Sequence, residues 1–160
     1  VPPTTLGEIV LRGPKVFKGY WKNPQATAEA IKNGWFHTGD IGTLDEEGYL
    51  YIVDRKKDVI ISGGENIASL EVERVIYELP QVLETAVIGV PHPRWQEVPI
   101  AYVAVKKGEK ITAEEILEHC SKKLAKFKVP KGVEFIDILP RNPSGKVLKR
   151  ELRERDKLKH

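Results

Sequence analysis

The sequence is poor in the features that would force a special class. It contains one cysteine, Cys120, so no internal disulfide can form, and a reducing compartment fits that usage. No apolar run approaches the roughly 20 residues a spanning helix needs, and no charged leader followed by an apolar stretch opens the chain. These absences predict a cytoplasmic protein without a membrane span. The net charge is only +3, too little for a bulk field aimed at nucleic acid, and the basic excess sits locally in residues 146–160. The four histidines, His37, His92, His119 and His160, have no ligand spacing to one another or to Cys120, which predicts no metal site. No G-x-S-x-G elbow is present. "SGK" at 144–146 is not a Walker A loop either, because Pro140 stands where that loop needs glycine. Internal repeats and low-complexity segments are absent.

What is present is a globular composition: 160 residues with 41% hydrophobic content, enough for a core. The opening "VPPTTLGEIVLRG" reads like the middle of a longer chain, with a strand near Ile9–Leu11. In "NPQATAEAIKNG", Asn23 can cap a short helix with Pro24 at its first position, and Asn33-Gly34 can stop it. "GYLYIVD" and "DVIIS" read as two strands of a hairpin around the charged turn Arg55-Lys56-Lys57. Beyond it, Ser69 can cap a helix whose Val72, Val75, Ile76 and Leu79 fall at helical spacing. Strands follow at 86–90 and 100–105. A second helix starts at Thr112, where T-x-x-E with Glu115 makes a capping box, and the stripe Ile116, Cys120, Leu124 places Cys120 in the core. A last strand, 133–139, leads through "PRNPSGK" to a charged helix from about Val147.

This order predicts an α+β fold: a mostly β segment at 1–56, then a small domain at 57–160 with a short sheet flanked by helices.

Three stretches invite a functional reading. "GWFHTGDIG" holds Asp40 among three glycines. Locally Asp40 is either an ordinary turn residue or a carboxylate accepting hydrogen bonds from a pair of hydroxyls, as on a ribose. "ISGGEN" has two adjacent glycines where one would turn the chain, so it is either a turn or a place where a ligand passes close to the backbone. In "NPSGKVLKREL", a helix capped by Ser144 would carry Lys146, Lys149 and Arg150 in its first turns, against the macrodipole. That is either a solvated basic face or a lysine offered to an anionic phosphate from a mobile loop.

Taken in order, "GEIVLRGPKVFKGYWKNPQAT", "GWFHTGD", "GYLYIVDRKKDVIISGGENI", "EVERVIYELPQVLETAVIGVPHPRW" and "LPRNPSGKVLKREL" resemble the C-terminal part of the adenylate-forming (AMP-binding) enzymes. "SGGENI" with "FKVPK" is most similar to the acyl-CoA synthetase branch. The resemblance covers nearly the whole chain. It implies two half-reactions: a carboxylic acid attacks ATP, with its Mg2+, to give an acyl-adenylate and pyrophosphate, and the CoA thiol then displaces AMP.

By resemblance, Asp40 and Arg55 hold the nucleotide, Lys57 is the hinge, and Lys146 is the adenylation lysine. Gly63 and Gly64 line the pantetheine tunnel, while Trp95, Phe127, Lys128 and Lys131 serve CoA. The segment before Lys57 would be the tail of a large domain, the rest of which would supply the phosphate loop and acyl pocket. The chain departs from the family pattern at Gln96, where relatives usually have Gly, and at Val129, where some have a basic residue. Two rival readings use the same residues: an adenylation domain serving a carrier protein, and a free-standing binding or regulatory module.

Overall fold

The computed structural model describes residues 2–158, and the chain divides into two compact units between Lys57 and Asp58.

The first unit is a four-stranded antiparallel sheet centred on β3 (Trp35–Leu44). One edge of β3 pairs with β1 (Gly7–Leu11); the other takes β2 (Ile31–Lys32) near its start and β4 (Leu50–Arg55) toward its end. Helix α1 (Pro24–Ala30) is capped as its sequence predicts, the Asn23 side chain accepting the Ala26 N–H at 3.0 Å. Asn33-Gly34 is not the helix stop. The helix ends at Ala30, and these two residues, with φ of 52° and 79°, form the tight turn joining β2 to β3. Both turn positions need positive φ, which Asn-Gly supplies. Among the described residues of this unit only Gly42 and Asp54 are buried, so its sheet has no apolar core of its own.

The second unit has a five-stranded sheet with helices on both faces. Strands β5 (Ile60–Ser62) and β6 (Glu65–Ile67) form a small hairpin. β7 (Val82–His92) and β8 (Gln96–Val105) form a long antiparallel hairpin. The other edge of β8 is shared, by β5 at Gln96 and by β9 (Gly132–Phe135), in parallel, at residues 100–103. The expected hairpin between "GYLYIVD" and "DVIIS" does not form: β4 pairs with β3, and β5 pairs with β6 and β8.

Alternation along β7 and β8 splits the apolar residues between two faces. Val87, Ala101 and Val103 pack with Val72 and Ile76 of α2 (Ser69–Tyr77) and with Ile116 and Cys120 of α3 (Ala113–Lys123). Ala86, Ile88 and Tyr102 pack on the opposite face with Leu139 and with Leu152 of α4 (Lys149–Lys157). Helix α3 carries the full capping box of Thr112 and Glu115. Ser69, by contrast, is the first residue inside α2 rather than its cap, and its buried hydroxyl accepts from Lys149 at 2.6 Å. No helix among the described residues is long and apolar enough to cross a membrane.

Candidate functional site

In the first unit Asp40 is not in a loop. It lies within β3, opposite Arg55 on β4, and Arg55 Nε is 3.2 Å from Asp40 Oδ1. The glycines act on the strand rather than ending it. Gly39 has φ of 74°, and the register shifts on both edges of β3, between Glu8 and Val10 and between Ile41 and Gly42. Such bulges re-aim side chains. The Thr38 hydroxyl accepts the Asp40 N–H at 3.1 Å and donates to the Ile9 carbonyl at 2.7 Å, locking the approach to Asp40. Thr38, Gly39, Arg55, Lys56 and Lys57 line an open cleft of about 400 Å³. Asp40 and Arg55 are both partly exposed, so their charges can be shared with a polar ligand. Beside them Glu8 receives His37 at 3.0 Å and Lys56 at 2.9 Å, and these contacts hold its carboxyl below the usual range. Lys57 is the last residue of this unit.

In the second unit Gly63 and Gly64 form the β5–β6 turn, with φ of 60° and 89°. Two glycines are therefore what the turn itself demands, contrary to the expectation that one would suffice. The turn is also packed against the start of β8. Gly63 N donates to the Trp95 carbonyl at 2.8 Å, and a Cβ on Gly63 would stand 2.9 Å from the Trp95 ring. At Gly64 a Cβ would meet nothing within 4 Å. Arg94 lies over the Trp95 ring at 4.6 Å, and the His92 Nδ1 is 3.2 Å from both the Arg94 and Trp95 backbone nitrogens, capping the β7–β8 turn. Gln96 has φ of 70°, which explains why glycine suits this position.

The remaining expected CoA residues are divided. Lys131 N donates to the Pro99 carbonyl on β8, which puts Lys131 on the edge that β5 also uses, and its side chain makes no ion pair among the described residues. Phe127 is partly exposed, with the Lys128 ammonium 5.7 Å from its ring. That ammonium is engaged by Glu71 at the start of α2, 2.7 and 2.8 Å from its two oxygens.

Lys146 lies in a closed loop between Leu139 and α4. The helix begins only at Lys149, with Leu148 at its cap position, so Ser144 does not cap it; the Ser144 hydroxyl donates to Asn142 Oδ1 at 2.8 Å. The helix-dipole argument thus fails for Lys146 and applies to Lys149, which meets Glu73 at 2.7 Å. The loop is stitched rather than loose. Asn142 N donates to the Lys146 carbonyl at 2.9 Å, Lys146 N donates to Asn142 Oδ1 at 2.8 Å, and Arg141 pairs with Val147 in an isolated bridge.

Arg141 and Glu84, neither singled out in the sequence, fasten this loop to β7. The signal was available only as a charge in an otherwise apolar strand. Glu84 lies eight residues before His92 in β7, and His92 faces Gln96 beside the Gly63-Gly64 turn. At about 3.3 Å per residue the anchor of the Lys146 loop is roughly 25 Å from the glycine turn along one hairpin. The structure joins Asp40 to Arg55 and Gly63 to Trp95, and anchors the Lys146 loop at Glu84, toward the end of β7 away from His92. Of the histidines, His160 lies outside the described residues, and among those described no cluster of three or more His, Cys, Asp or Glu could hold a metal ion.

Residues 71–146 match the family model of the AMP-binding enzyme C-terminal domain. A feruloyl-CoA synthase of an Amycolatopsis species is 55% identical over 97% of this chain and 32% of its own length. A 2-succinylbenzoate–CoA ligase of Bacillus cereus is 55% identical over 96% of this chain, again 32% of its own length. The crystal structure of ATP-bound MatB from Rhodopseudomonas palustris aligns with a TM-score of 0.90 at 46% identity, covering 98% of this chain and 31% of that one. The chain thus spans about a third of the length of the curated relatives it matches.

Proposed function

The chain belongs to the AMP-binding, adenylate-forming enzymes, of which it carries the C-terminal domain, and from that premise we propose that it works within an AMP-forming acyl-CoA synthetase. The reaction joins a fatty or aromatic carboxylic acid to CoA through an acyl-adenylate, with ATP giving AMP and pyrophosphate. Residues 1–57 are then the end of a large domain, and residues 58–160 a small domain that turns about Lys57.

Asp40 accepts the ribose hydroxyls of the nucleotide while Arg55, its cross-strand partner, fixes the carboxylate. Lys146 neutralises charge on the substrate carboxylate and α-phosphate as the adenylate forms, a contribution on the order of 3 to 4 kcal/mol for one preorganised donor. The exposed Gly63-Gly64 turn, open above Gly64 and backed by Trp95, lets pantetheine pass close to the backbone. Lys131 offers a cation on the same edge of β8 for the CoA phosphates; Lys128 reaches them only by leaving Glu71. Mg2+ arrives with the triphosphate, and no residue of this chain is assigned to it.

The observation that carries this reading is that the Lys146 loop is anchored at Glu84, at one end of the β7–β8 hairpin, while the glycine turn packs on Trp95, at its other end. Elements whose anchors lie at opposite ends of one strand pair are poorly placed to serve one reaction centre at once. They can serve it in turn if the domain carrying them rotates, which makes a conformational step part of the cycle.

The test is AMP release by the full-length protein against a panel of carboxylic acids, with and without CoA. Acid-dependent AMP and acyl-CoA are the expected products. Adenylate formed but passed only to a carrier protein would assign the acceptor differently. No acid-dependent AMP with any member of the panel would overturn the proposal.

A further inference from the structure

The Lys146 loop is held at two levels. Asn142 shapes it from within, bonding both the N–H and the carbonyl of Lys146. Nothing in those bonds fixes where the loop sits on the domain. That is done from outside by Glu84 of β7. Its Oε1 accepts the Leu139 N–H at 2.9 Å, where the chain enters the loop, and its Oε2 pairs with the Arg141 guanidinium. The same guanidinium donates through Nη1 to the Gly145 carbonyl at 2.7 Å, on the peptide that leads into Lys146. One planar fork thus spans from a sheet strand to the residue before the lysine, a geometry the ammonium of lysine cannot reproduce.

Burial opposes the charge on Glu84, yet the Leu139 N–H and Arg141 hold its carboxyl below the usual range. Glu84 itself is seated firmly, its backbone paired with Ala104 in the ladder just after a register shift at Leu83.

We infer that Glu84 and Arg141 are positioning residues for the adenylation half-reaction, acting through the Gly145–Lys146 peptide and not on the thioester half-reaction. The inference rests on the assignment of Lys146 given above. A lysine that must reach two oxygens at the moment charge develops is sensitive to displacement, and a misplacement of about 1 Å can cost on the order of 100-fold. The thioester step uses the far end of the β7–β8 hairpin and should be indifferent to it.

The experiment uses the full-length enzyme with whichever acid gives the fastest AMP release. Pyrophosphate release reads the first half-reaction; transfer from supplied acyl-adenylate to CoA reads the second. Arg141→Ala should slow adenylation by roughly 10- to 100-fold and leave transfer unchanged. Arg141→Lys should rescue little, because it cannot bond Glu84 and Gly145 together. Glu84→Gln keeps an acceptor for Leu139 but loses the charge, so it tests the pairing without opening the loop entry, and should slow adenylation alone.

In a Lys146→Ala background, Arg141→Ala should add less than about twofold, since residues acting through one group are not additive. Full additivity there, or equal slowing of both half-reactions, would overturn the inference. A normal loss in Lys146→Ala with wild-type adenylation in Arg141→Ala and Glu84→Gln would overturn it alone. Undiminished adenylation in Lys146→Ala would overturn the assignment beneath it, and the inference with it.

Discussion

The Glu73 carboxylate receives the Lys149 ammonium at 2.7 Å and the Val87 N–H at 2.8 Å, so one buried side chain of α2 binds both α4 and β7. β7 is an edge of the five-stranded sheet, and its outward N–H groups would be left without partners by the ladder. Glu73 takes the one at Val87, and the Tyr77 hydroxyl, one helical turn on, takes the one at Thr85 at 3.1 Å. Helix α2 therefore closes the edge while packing its apolar face on the sheet.

Removing one member of this pair should be costly. Lys149→Met leaves the Glu73 carboxylate buried without its cation, a loss on the order of 3 to 5 kcal/mol. Lys149→Met with Glu73→Gln should recover part of it, because the amide oxygen still accepts from Val87 without a charge. Urea denaturation of the two variants and the parent measures both effects. Near-parental stability of Lys149→Met would show that the pair does not hold α4.

Much of the second unit could be read from its sequence because its signals were local. The Thr112–Glu115 capping box and the Ile116–Cys120 stripe set a helix by contacts within one turn, and both stand in the fold. The misreadings share a different origin. Asn33-Gly34 reads locally as the end of a helix, but it is the two-residue turn of a hairpin, which depends on a strand beyond it, and the need for both glycines at Gly63-Gly64 likewise comes from the strand pairing on either side. Ser69 and Ser144 were read as caps, but their hydroxyls are used by Lys149, eighty residues away, and by Asn142. Asp40 looked like a loop residue because bulges, which let glycines sit inside a strand, have no pattern without the partner strands. Glu84 shows in the sequence only as a charge in an apolar strand, and its pairing with Arg141 does not show at all, because that meaning is a contact across 57 positions.

Backbone strain gives a paired prediction where the β5–β6 turn packs on the start of β8. Gln96 holds φ of 70° without being glycine, so Gln96→Gly should stabilise by up to about 1 kcal/mol, the relief of left-handed strain less the added flexibility of the unfolded chain. Gly63→Ala should do the opposite and cost about 2 kcal/mol or more, because its new Cβ would press on the Trp95 ring at 2.9 Å in addition to adopting φ of 60°. Thermal unfolding of the two variants tests this; loss of stability in Gln96→Gly would refute the strain.

Cys120 should behave as a core residue. Burial pushes its thiol up to about 11, with the nearby Glu78 charge adding to the shift, so the nucleophilic thiolate is disfavoured in the folded protein. Iodoacetamide at pH 8 should modify it only at the rate at which the α3 region opens, and rapidly in urea. Prompt alkylation of the native protein would contradict the packing of α3.

The two units should differ in protection. The second has apolar clusters on both faces of its sheet, whereas the first buries only Gly42 and Asp54 among its described residues. Amides in residues 7–55 of the isolated chain should therefore exchange faster than those of β7 and β8, since regions with few buried contacts open at lower free energy. Uniform protection along the chain would contradict a division at Lys57.

The proposed function predicts that the two half-reactions can be separated in the full-length protein by one substitution in the Lys146 loop and one in the glycine turn. If Lys146 has the role proposed for it, Lys146→Ala removes a cation needed while phosphoryl charge develops, so adenylation should fall by about 100-fold or more, and thioester formation from supplied acyl-adenylate should survive. At Gly64 the structure supplies a control. Its φ of 89° strains any side chain, but a Cβ there enters open space, so Gly64→Ala carries the strain with little bulk. Gly64→Leu adds a branched group where pantetheine would pass. If the turn lines the thiol's path, Gly64→Leu should slow acyl transfer far more than Gly64→Ala, and neither should slow pyrophosphate release comparably. Equal slowing by alanine and leucine would trace the effect to the backbone rather than to obstruction. Slowing of both steps by Lys146→Ala would mean that the lysine and the glycine turn do not take alternate turns at one site.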